Sequence, residues 1–249
     1  MKQMPKCVIF DWDGTLVGCE QLVHATYVLT LDRLGDEKAR TWTEKNTHAQ
    51  NGKTRAEIFS NTDIWGEKGA EAQEIFYQIY PRLQNSDTEL TKLFEHISGT
   101  ALTPLTVYDG AKEVISFWKK QKSVKVILLG AKSEELLKTE VEQAGFNELF
   151  DAVLGNTGNP ITDKPNAGAF DRAVQGMHLV DKKKDVLYIG DNIVNDTKFA
   201  DSWGANVRIV QPKKNKIALR QLLADFEQLY AVYCQTQKVF KTERQNSHT

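Results

Sequence analysis

An apolar stretch near the start of the chain ends at two carboxylates, and this feature constrains the fold most strongly. Residues 8–10, Val-Ile-Phe, run directly into the stretch DWDGT at 11–15. Such an apolar run predicts a buried strand. Ligands of open α/β sheets bind beyond the carboxyl ends of strands, so we expect chemistry at Asp11 and Asp13. These carboxylates repel each other unless a cation neutralises them, and Mg²⁺ prefers oxygen ligands of this kind.

Four further apolar segments are typical of strands, and helical patterns separate them. They are residues 124–129, 151–154, 185–189 and 207–210. This alternation predicts an α/β fold with a doubly wound parallel sheet. Between about Glu20 and Thr106 the apolar residues recur at three- and four-residue spacing, with no alternating strand pattern, so we expect an inserted all-helical domain.

Composition excludes several classes of protein. The 249 residues carry a formal net charge of −1, which gives no basic surface for nucleic acid. No apolar run approaches the roughly 18 residues needed to span a bilayer, and the start of the chain lacks a signal-peptide pattern. The three cysteines are odd in number and widely spaced, which favours a reducing, cytoplasmic setting over a disulfide framework.

Four motifs in order resemble those of the haloacid dehalogenase (HAD) superfamily. Residues 11–15 match its first motif, Asp-x-Asp-Gly-Thr, at every defined position. Gly130 and Ala131 follow the second core strand, where the second motif has Thr or Ser. The stretch Asp163-Lys164-Pro165 resembles the third motif, Lys-Pro. Gly190-Asp191, with Asp196 five residues after Asp191, resembles the fourth.

The resemblance covers about residues 6–210 and implies a domain organisation. It implies a Rossmann-like core at 1–18 and 107–212, with a helical cap of the phosphoglycolate phosphatase and β-phosphoglucomutase type at 19–106. Residues 213–249 would form a C-terminal helix and a polar tail. The apolar seam of that helix predicts either docking on its own domain or a dimer contact, so a monomer and a homodimer both stay open.

The resemblance also implies a Mg²⁺-dependent phosphatase acting on a small-molecule phosphate ester, with no nucleic-acid or membrane partner. Asp11 would be the nucleophile and Asp13 the acid and base. The metal would be held by Asp11, Asp13 through its backbone carbonyl, and Asp191. Asp196 would hold the metal's waters or orient Lys164.

Phosphate binding is expected at Lys164, at Gly14 and Thr15, and at the backbone amides of Gly130 and Ala131 near a helix N-terminus. Gly130 departs from the family pattern because it lacks the hydroxyl of the second motif. Loss of one such donor costs about 10²–10³ in rate. A water or Ser133, the predicted N-cap of the next helix, would be the substitute.

Lys53 and Arg55 lie in the stretch Asn51–Arg55, which resembles the substrate-specificity loop of this cap type. The alternative is a solvated turn with Thr54 capping the helix that follows. Phosphoglycolate, a sugar phosphate and a nucleotide all remain possible substrates. Two other functions also stay open: a phosphomutase of the same family, and a weak or non-catalytic HAD-like binding protein, which the departure at Gly130 favours.

Overall fold

The computed structural model describes residues 4–50, 55–103 and 105–246, and these form two compact units. The first unit comprises the described residues of Met1–Gly18 and Val107–Thr249, and the second those of Cys19–Thr106. Among the helices described, none combines the length and apolar character that a membrane crossing requires.

The described strands are short and most of them belong to the first unit. They are β1 (Cys7–Phe10), β2 (Val17–Gly18), β3 (Thr106–Val107), β4 (Lys125–Ser133), β5 (Ala152–Asn156), β6 (Val186–Gly190) and β7 (Asn206–Ile209). Five of them form one sheet in the order β5-β4-β1-β6-β7, with all neighbours parallel. The predicted α/β fold with a doubly wound parallel sheet is confirmed.

Helices make up the rest of both units. In the second unit they are α1 (Glu20–Arg33), α2 (Glu44–His48), α3 (Arg55–Phe59), α4 (Thr62–Trp65), α5 (Gly69–Gln84) and α6 (Thr88–Ser98). In the first unit they are α7 (Ala111–Lys119), α8 (Glu134–Gln143), α9 (Gly168–Ala173), α10 (Asn195–Trp203) and α11 (Ala218–Asn246). Short 3₁₀ helices span Glu37–Arg40, Gly66–Lys68 and Val180–Asp185.

Both faces of the sheet are covered, as a parallel sheet of apolar strands requires. On one face, Ile9, Ile127 and Tyr188 join a core cluster with residues of α9 and α10, among them Phe170 and Trp203. The opposite face includes Leu128, and its helices are α7 and α8. Apolar side chains at consecutive strand positions therefore pack against two separate layers of helices, one on each face of the sheet.

The register of the sheet brings the functional segments to one edge. Phe10 at the end of β1 pairs with Leu128 of β4 and with Ile189 of β6. Asp11, the first residue beyond β1, therefore lies between Leu129 of β4 and Gly190 at the end of β6. Strand β4 continues past this point to Ser133.

The C-terminal helix α11 packs against α7 of the first unit. Phe226 is buried and its ring lies 4.8 Å from that of Trp118 on α7. The ring of Phe117, also on α7, stacks against the Phe226 ring at 6.3 Å. The alternative of a dimer contact along the rest of α11 stays a prediction.

The second unit has an aromatic core. The buried ring of Tyr27 on α1 lies 5.1 Å from Phe76, 6.0 Å from Trp65 and 6.4 Å from Phe59. Such rings each bury a large apolar area, which stabilises a small helical unit. Lys53 and the predicted cap residue Thr54 lie outside the described residues. Arg55 begins α3.

Candidate active site

A tight turn after β1 sets the position of Asp11 and Asp13. The Asp11 amide donates to the carbonyl oxygen of Ile189 at 2.8 Å, which extends the pairing of β1 with β6. The amides of residues 15–17 then converge on the carbonyl oxygen of Trp12, at 3.0–3.3 Å. The chain therefore reverses immediately beyond the sheet, and backbone hydrogen bonds fix the turn that carries the two aspartates.

Three carboxylates, from the ends of β1 and β6 and from the first turn of α10, come together at this edge. Ligand oxygens of Asp11, Asp191 and Asp196 all lie within 4.8 Å of one another. Gly14 permits this approach, because a Cβ atom on it would lie 2.6 Å from Cγ of Asp191. Its φ of +79° is also a conformation that glycine adopts without strain. Glycine is therefore needed at position 14, because a side chain there would clash with the Asp191 carboxylate and strain the backbone.

Lys164 supplies positive charge to this cluster from the loop between β5 and α9. Its Nζ lies 2.6 Å from Oδ1 of Asp11 and donates to the hydroxyl of Tyr188 at 2.7 Å. The lysine backbone is fixed by Asn156, whose side chain bonds both its amide (3.0 Å) and its carbonyl oxygen (3.1 Å). The ammonium is therefore held against the predicted nucleophile.

Asp196 is tied to Lys164 through Tyr188. The Tyr188 hydroxyl donates to Oδ1 of Asp196 at 2.9 Å, and the amide of Asn192 donates to Oδ2 at 2.8 Å. Lys164 Nζ itself lies 3.9 Å from Oδ1. Burial, with the carboxylates nearby, raises the pKa of Tyr188 well above its usual value, so the phenol keeps its proton and remains a donor.

The cluster carries more negative than positive charge. Burial raises the pKa of Asp11 to about 6, although Lys164 opposes the shift. Burial, together with Asp11 and Asp196, raises the pKa of Asp191 to about 7. Among the residues that the structure describes, no cationic side chain forms an ion pair with Asp191. The three carboxylates form a site that could hold a cation.

The Asp13 side chain belongs to a second cluster. Its Oδ1 lies 2.9 Å from Nζ of Lys132, which lies 2.5 Å from both carboxylate oxygens of Glu140. The indole N–H of Trp12 donates to Oε2 of Glu140 at 2.7 Å. Burial raises the pKa of Glu140, while Lys132 opposes the shift. Adjacent residues 12 and 13 are thus both linked to one buried ion pair.

Gly130 and Ala131 lie within β4 rather than at a helix N-terminus. Leu129 pairs with Leu154 and Ser133 with Asn156, so four residues of β4 span two residues of β5. The excess residues form a bulge in the strand. Helix α8 begins only at Glu134, and the side chain of Ser133 makes no cap hydrogen bond. The expected position of these amides at a helix N-terminus was therefore wrong, because they lie in a strand bulge. Their role in phosphate binding stays a prediction.

Thr15 is fully buried, and its Oγ1 makes no hydrogen bond with the residues that the structure describes. A role of this hydroxyl in phosphate binding stays a prediction. The roles of Lys53 and Arg55 also stay predictions.

Four residues at the site escaped the sequence analysis: Trp12, Lys132, Glu140 and Tyr188. Glu140 had a signal, because it follows Leu137 by three residues and therefore falls on the apolar side of α8. A carboxylate at a core-facing helical position needs a buried partner. No comparable signal marks Lys132, since the bulge that directs it is not visible in the pattern of apolar residues.

A family model for haloacid dehalogenase-like hydrolases matches residues 5–204. The chain belongs to this family. No curated protein gives a significant match to this HAD-like hydrolase.

Several solved structures share its fold at low sequence identity. A HAD-like family protein from Streptococcus pneumoniae has a TM-score of 0.62 at 17% identity, over 85% of this chain and 87% of that one. CbbY from Rhodobacter sphaeroides, in complex with phosphate, has a TM-score of 0.60 at 15% identity, over 83% and 86%. A predicted phosphoglycolate phosphatase from Haemophilus somnus has a TM-score of 0.60 at 20% identity, over 82% and 84%.

Proposed function

We propose that this HAD-like hydrolase is a Mg²⁺-dependent phosphatase that cleaves a small-molecule phosphate monoester through an aspartyl-phosphate. One observation carries the proposal. Asp11 lies at the end of the central strand, with Lys164 at 2.6 Å and two further carboxylates within 4.8 Å. A nucleophilic carboxylate, an ammonium for phosphoryl oxygens and an oxygen-rich cation site are the groups that this chemistry needs.

The residues present fit a magnesium ion. All candidate ligands are hard oxygens, as Mg²⁺ prefers. Burial, together with the repulsion between these carboxylates, raises the pKa of Asp11 to about 6 and that of Asp191 to about 7, although Lys164 opposes both shifts. A bound cation would relieve that repulsion. Asp11, Asp191 and the backbone carbonyl of Asp13 would hold the ion, and Asp196 would bind its waters. Bound Mg²⁺ would reduce the repulsion between a carboxylate nucleophile and an anionic ester.

In the first step, a carboxylate oxygen of Asp11 attacks phosphorus, and the bond between phosphorus and the alcohol oxygen breaks. Asp13 gives its proton to that oxygen, so a neutral alcohol leaves. Lys164 stabilises the phosphoryl oxygens during the transfer, since its ammonium already lies at Asp11. The phosphoryl group then resides on Asp11.

In the second step, water attacks the phosphorus of the aspartyl-phosphate. Asp13, now ionised, takes a proton from that water, and the bond from Asp11 to phosphorus breaks. Inorganic phosphate leaves, and both aspartates return to their starting states. Asp13 suits both steps because its side chain remains 35% exposed, whereas that of Asp11 is 12% exposed.

The alcohol part of the substrate is proposed by analogy. Structures with this fold include a predicted phosphoglycolate phosphatase and a protein in complex with phosphate. We therefore place phosphoglycolate first, with sugar phosphates and nucleotides next. Lys53 and Arg55 of the helical unit are the proposed substrate contacts.

The test is release of inorganic phosphate from phosphoglycolate, glucose 6-phosphate, AMP and 4-nitrophenyl phosphate. Each ester is assayed with Mg²⁺ and with chelator, and with the wild type, Asp11→Asn and Asp201→Asn. Asp201 is an exposed residue of α10, the helix that carries Asp196, so it is a matched control. We expect Mg²⁺-dependent release that Asp11→Asn lowers by about 10⁴-fold or more, and that Asp201→Asn leaves unchanged.

Release that persists in Asp11→Asn would contradict the proposed nucleophile. Magnesium binding without release from any ester would favour the alternative of a non-catalytic binding protein. Transfer of the phosphoryl group to a second sugar hydroxyl, instead of to water, would favour the phosphomutase.

A further inference from the structure

We propose that Lys132 is a positioning residue that fixes the carboxylate of Asp13 for its acid and base roles. The inference rests on the proposed phosphatase function and adds to it a residue outside the four family motifs. Lys132 follows the second motif by two positions, at the place in the sheet where the chain departs from the family by having Gly130.

The contacts of Lys132 are those of a fixed ammonium. Its Nζ lies 2.9 Å from Oδ1 of Asp13 and 2.5 Å from both oxygens of Glu140, so three carboxylate oxygens surround it. The Lys132 side chain is 10% exposed and that of Glu140 only 2%. Because a long side chain loses most of its freedom in such surroundings, the ammonium stays in one place.

Glu140 is itself anchored from the interior. The indole N–H of Trp12 donates to it at 2.7 Å, and the Trp12 ring packs edge-on against Phe146 at 5.3 Å. The exposed fraction of the side chain rises from Glu140, at 2%, to Asp13, at 35%. Glu140 is thus the buried anchor of the cluster, and Asp13 is its exposed carboxylate, which a substrate can reach.

The bulge in β4 explains how a strand residue reaches Asp13. Four residues of β4 span the length of two residues of β5 between Leu129 and Ser133, and Lys132 lies inside this stretch. Bulges near active sites redirect side chains. Since Glu140 offsets the charge of Lys132, the pair can anchor Asp13 without a net positive charge beside it.

The experiment separates positioning of the acid from binding of the phosphoryl group. Alkyl phosphates need the leaving oxygen to be protonated, whereas 4-nitrophenolate leaves without a proton. The value of kcat/KM covers the steps up to departure of the alcohol. We therefore measure it for 4-nitrophenyl phosphate and for phosphoglycolate, or for the alkyl ester of the panel that the wild type hydrolyses fastest.

For Lys132→Met, we expect kcat/KM to fall by about 10–100-fold for the alkyl ester and by less than about 3-fold for 4-nitrophenyl phosphate. Hydrolysis of the aspartyl-phosphate also needs Asp13, so a burst of one equivalent of 4-nitrophenol should precede a slow steady state. Lys132→Arg keeps the charge and should restore part of the alkyl activity.

Two further variants keep the test interpretable. Lys132→Met leaves Glu140 buried without its cation, so the double variant Lys132→Met/Glu140→Gln removes both charges and should give the same split between esters. Lys138→Met removes a lysine that pairs with Glu134 on the surface of α8, the helix that carries Glu140. It should leave kcat/KM unchanged for both esters.

Equal losses for both esters, or no loss with the alkyl ester, would overturn the positioning role. Equal losses with weaker inhibition by inorganic phosphate would show instead that Lys132 binds the phosphoryl group. If the wild type releases no more phosphate than Asp11→Asn, the proposed function itself fails.

Discussion

Two ion clusters lie at the same edge of the sheet, and they differ in charge and in partners. The first joins Asp11, Asp191 and Asp196 to Lys164, three carboxylates to one ammonium. The second joins Asp13 and Glu140 to Lys132, two carboxylates to one ammonium that contacts both. We call them the nucleophile cluster and the acid cluster.

This difference supports the different roles proposed for Asp11, as nucleophile, and Asp13, as acid and base. The nucleophile cluster, to which Asp11 belongs, has more carboxylates than ammonium groups, and a metal ion would supply the missing positive charge. In the acid cluster, by contrast, the ammonium of Lys132 contacts both carboxylates. Two residues apart in sequence, Asp11 and Asp13 therefore face different electrostatic surroundings, which is how carboxylates acquire separate roles in catalysis.

The largest expected effect distinguishes the two lysines. Lys164→Met should lower kcat/KM by about 10²–10³-fold for alkyl and aryl phosphates alike, because it removes a donor to phosphoryl oxygens that every ester presents. Steady-state kinetics with both esters is the measurement, with Lys138→Met as the control. A loss confined to the alkyl ester would show instead that Lys164 assists protonation of the leaving oxygen, the role proposed for the acid cluster.

The pH dependence of stability should reveal the repulsion within the nucleophile cluster. The pKa values of Asp11 and Asp191 are raised in the folded protein, to about 6 and about 7. Between about pH 4 and 7, the metal-free folded state therefore holds protons that the unfolded chain has released. Their contribution to stability is complete below this range and is lost as pH rises through it, by about 1.4 kcal/mol per unit of pKa shift.

Asp191→Asn removes one of these charges and should raise the melting temperature of the metal-free protein at pH 8 by about 5 °C or more. The gain should shrink towards pH 4, where the wild-type carboxyl is protonated. Thermal unfolding in chelator from pH 4 to 8, with Asp201→Asn as the matched control, measures it. A gain independent of pH would contradict the repulsion described for the nucleophile cluster.

A smaller effect is expected from the aromatic donor of each cluster. Tyr188→Phe removes the donor to Asp196, and Trp12→Phe removes the donor to Glu140. Each removes one hydrogen bond to a buried carboxylate oxygen and should lower the free energy of unfolding by about 1–3 kcal/mol. Chemical denaturation measures this loss.

Activity distinguishes these two variants more sharply than stability does. Tyr188→Phe loosens Lys164, so it should lower kcat/KM for both esters by about the same factor, up to about 10-fold. Trp12→Phe acts through Glu140 and Lys132, so it should affect the alkyl ester more. The same preference for one ester in both variants would show that the clusters are not separate.

Much of the fold follows from the sequence, for a physical reason. Consecutive apolar residues in a strand are needed when both faces of a parallel sheet are covered, and they end where polar chemistry begins. Asp11 and Asp191 were therefore recognisable at the ends of their strands. The predicted end of the second core strand at Leu129 was wrong, because the strand continues through the bulge to Ser133.

The acid cluster could not be predicted as a whole. Glu140 lies 128 residues from Trp12 in sequence, and Lys132 reaches Asp13 only because of the bulge. Tyr188 looked like an ordinary strand residue, since an aromatic side chain suits a buried strand whether or not its hydroxyl has a partner. Contacts of this kind depend on tertiary packing, which the local pattern of residues does not carry.

A calorimetric titration of Mg²⁺ into the wild type, Asp191→Asn and Glu140→Gln at pH 8 tests most directly whether the metal site and the acid cluster are separate. We expect Asp191→Asn to weaken Mg²⁺ binding by about 10-fold or more, and Glu140→Gln to keep it within about 3-fold of the wild type. Undiminished binding by Asp191→Asn, or equal losses in the two variants, would contradict the separation of a metal site from an acid cluster.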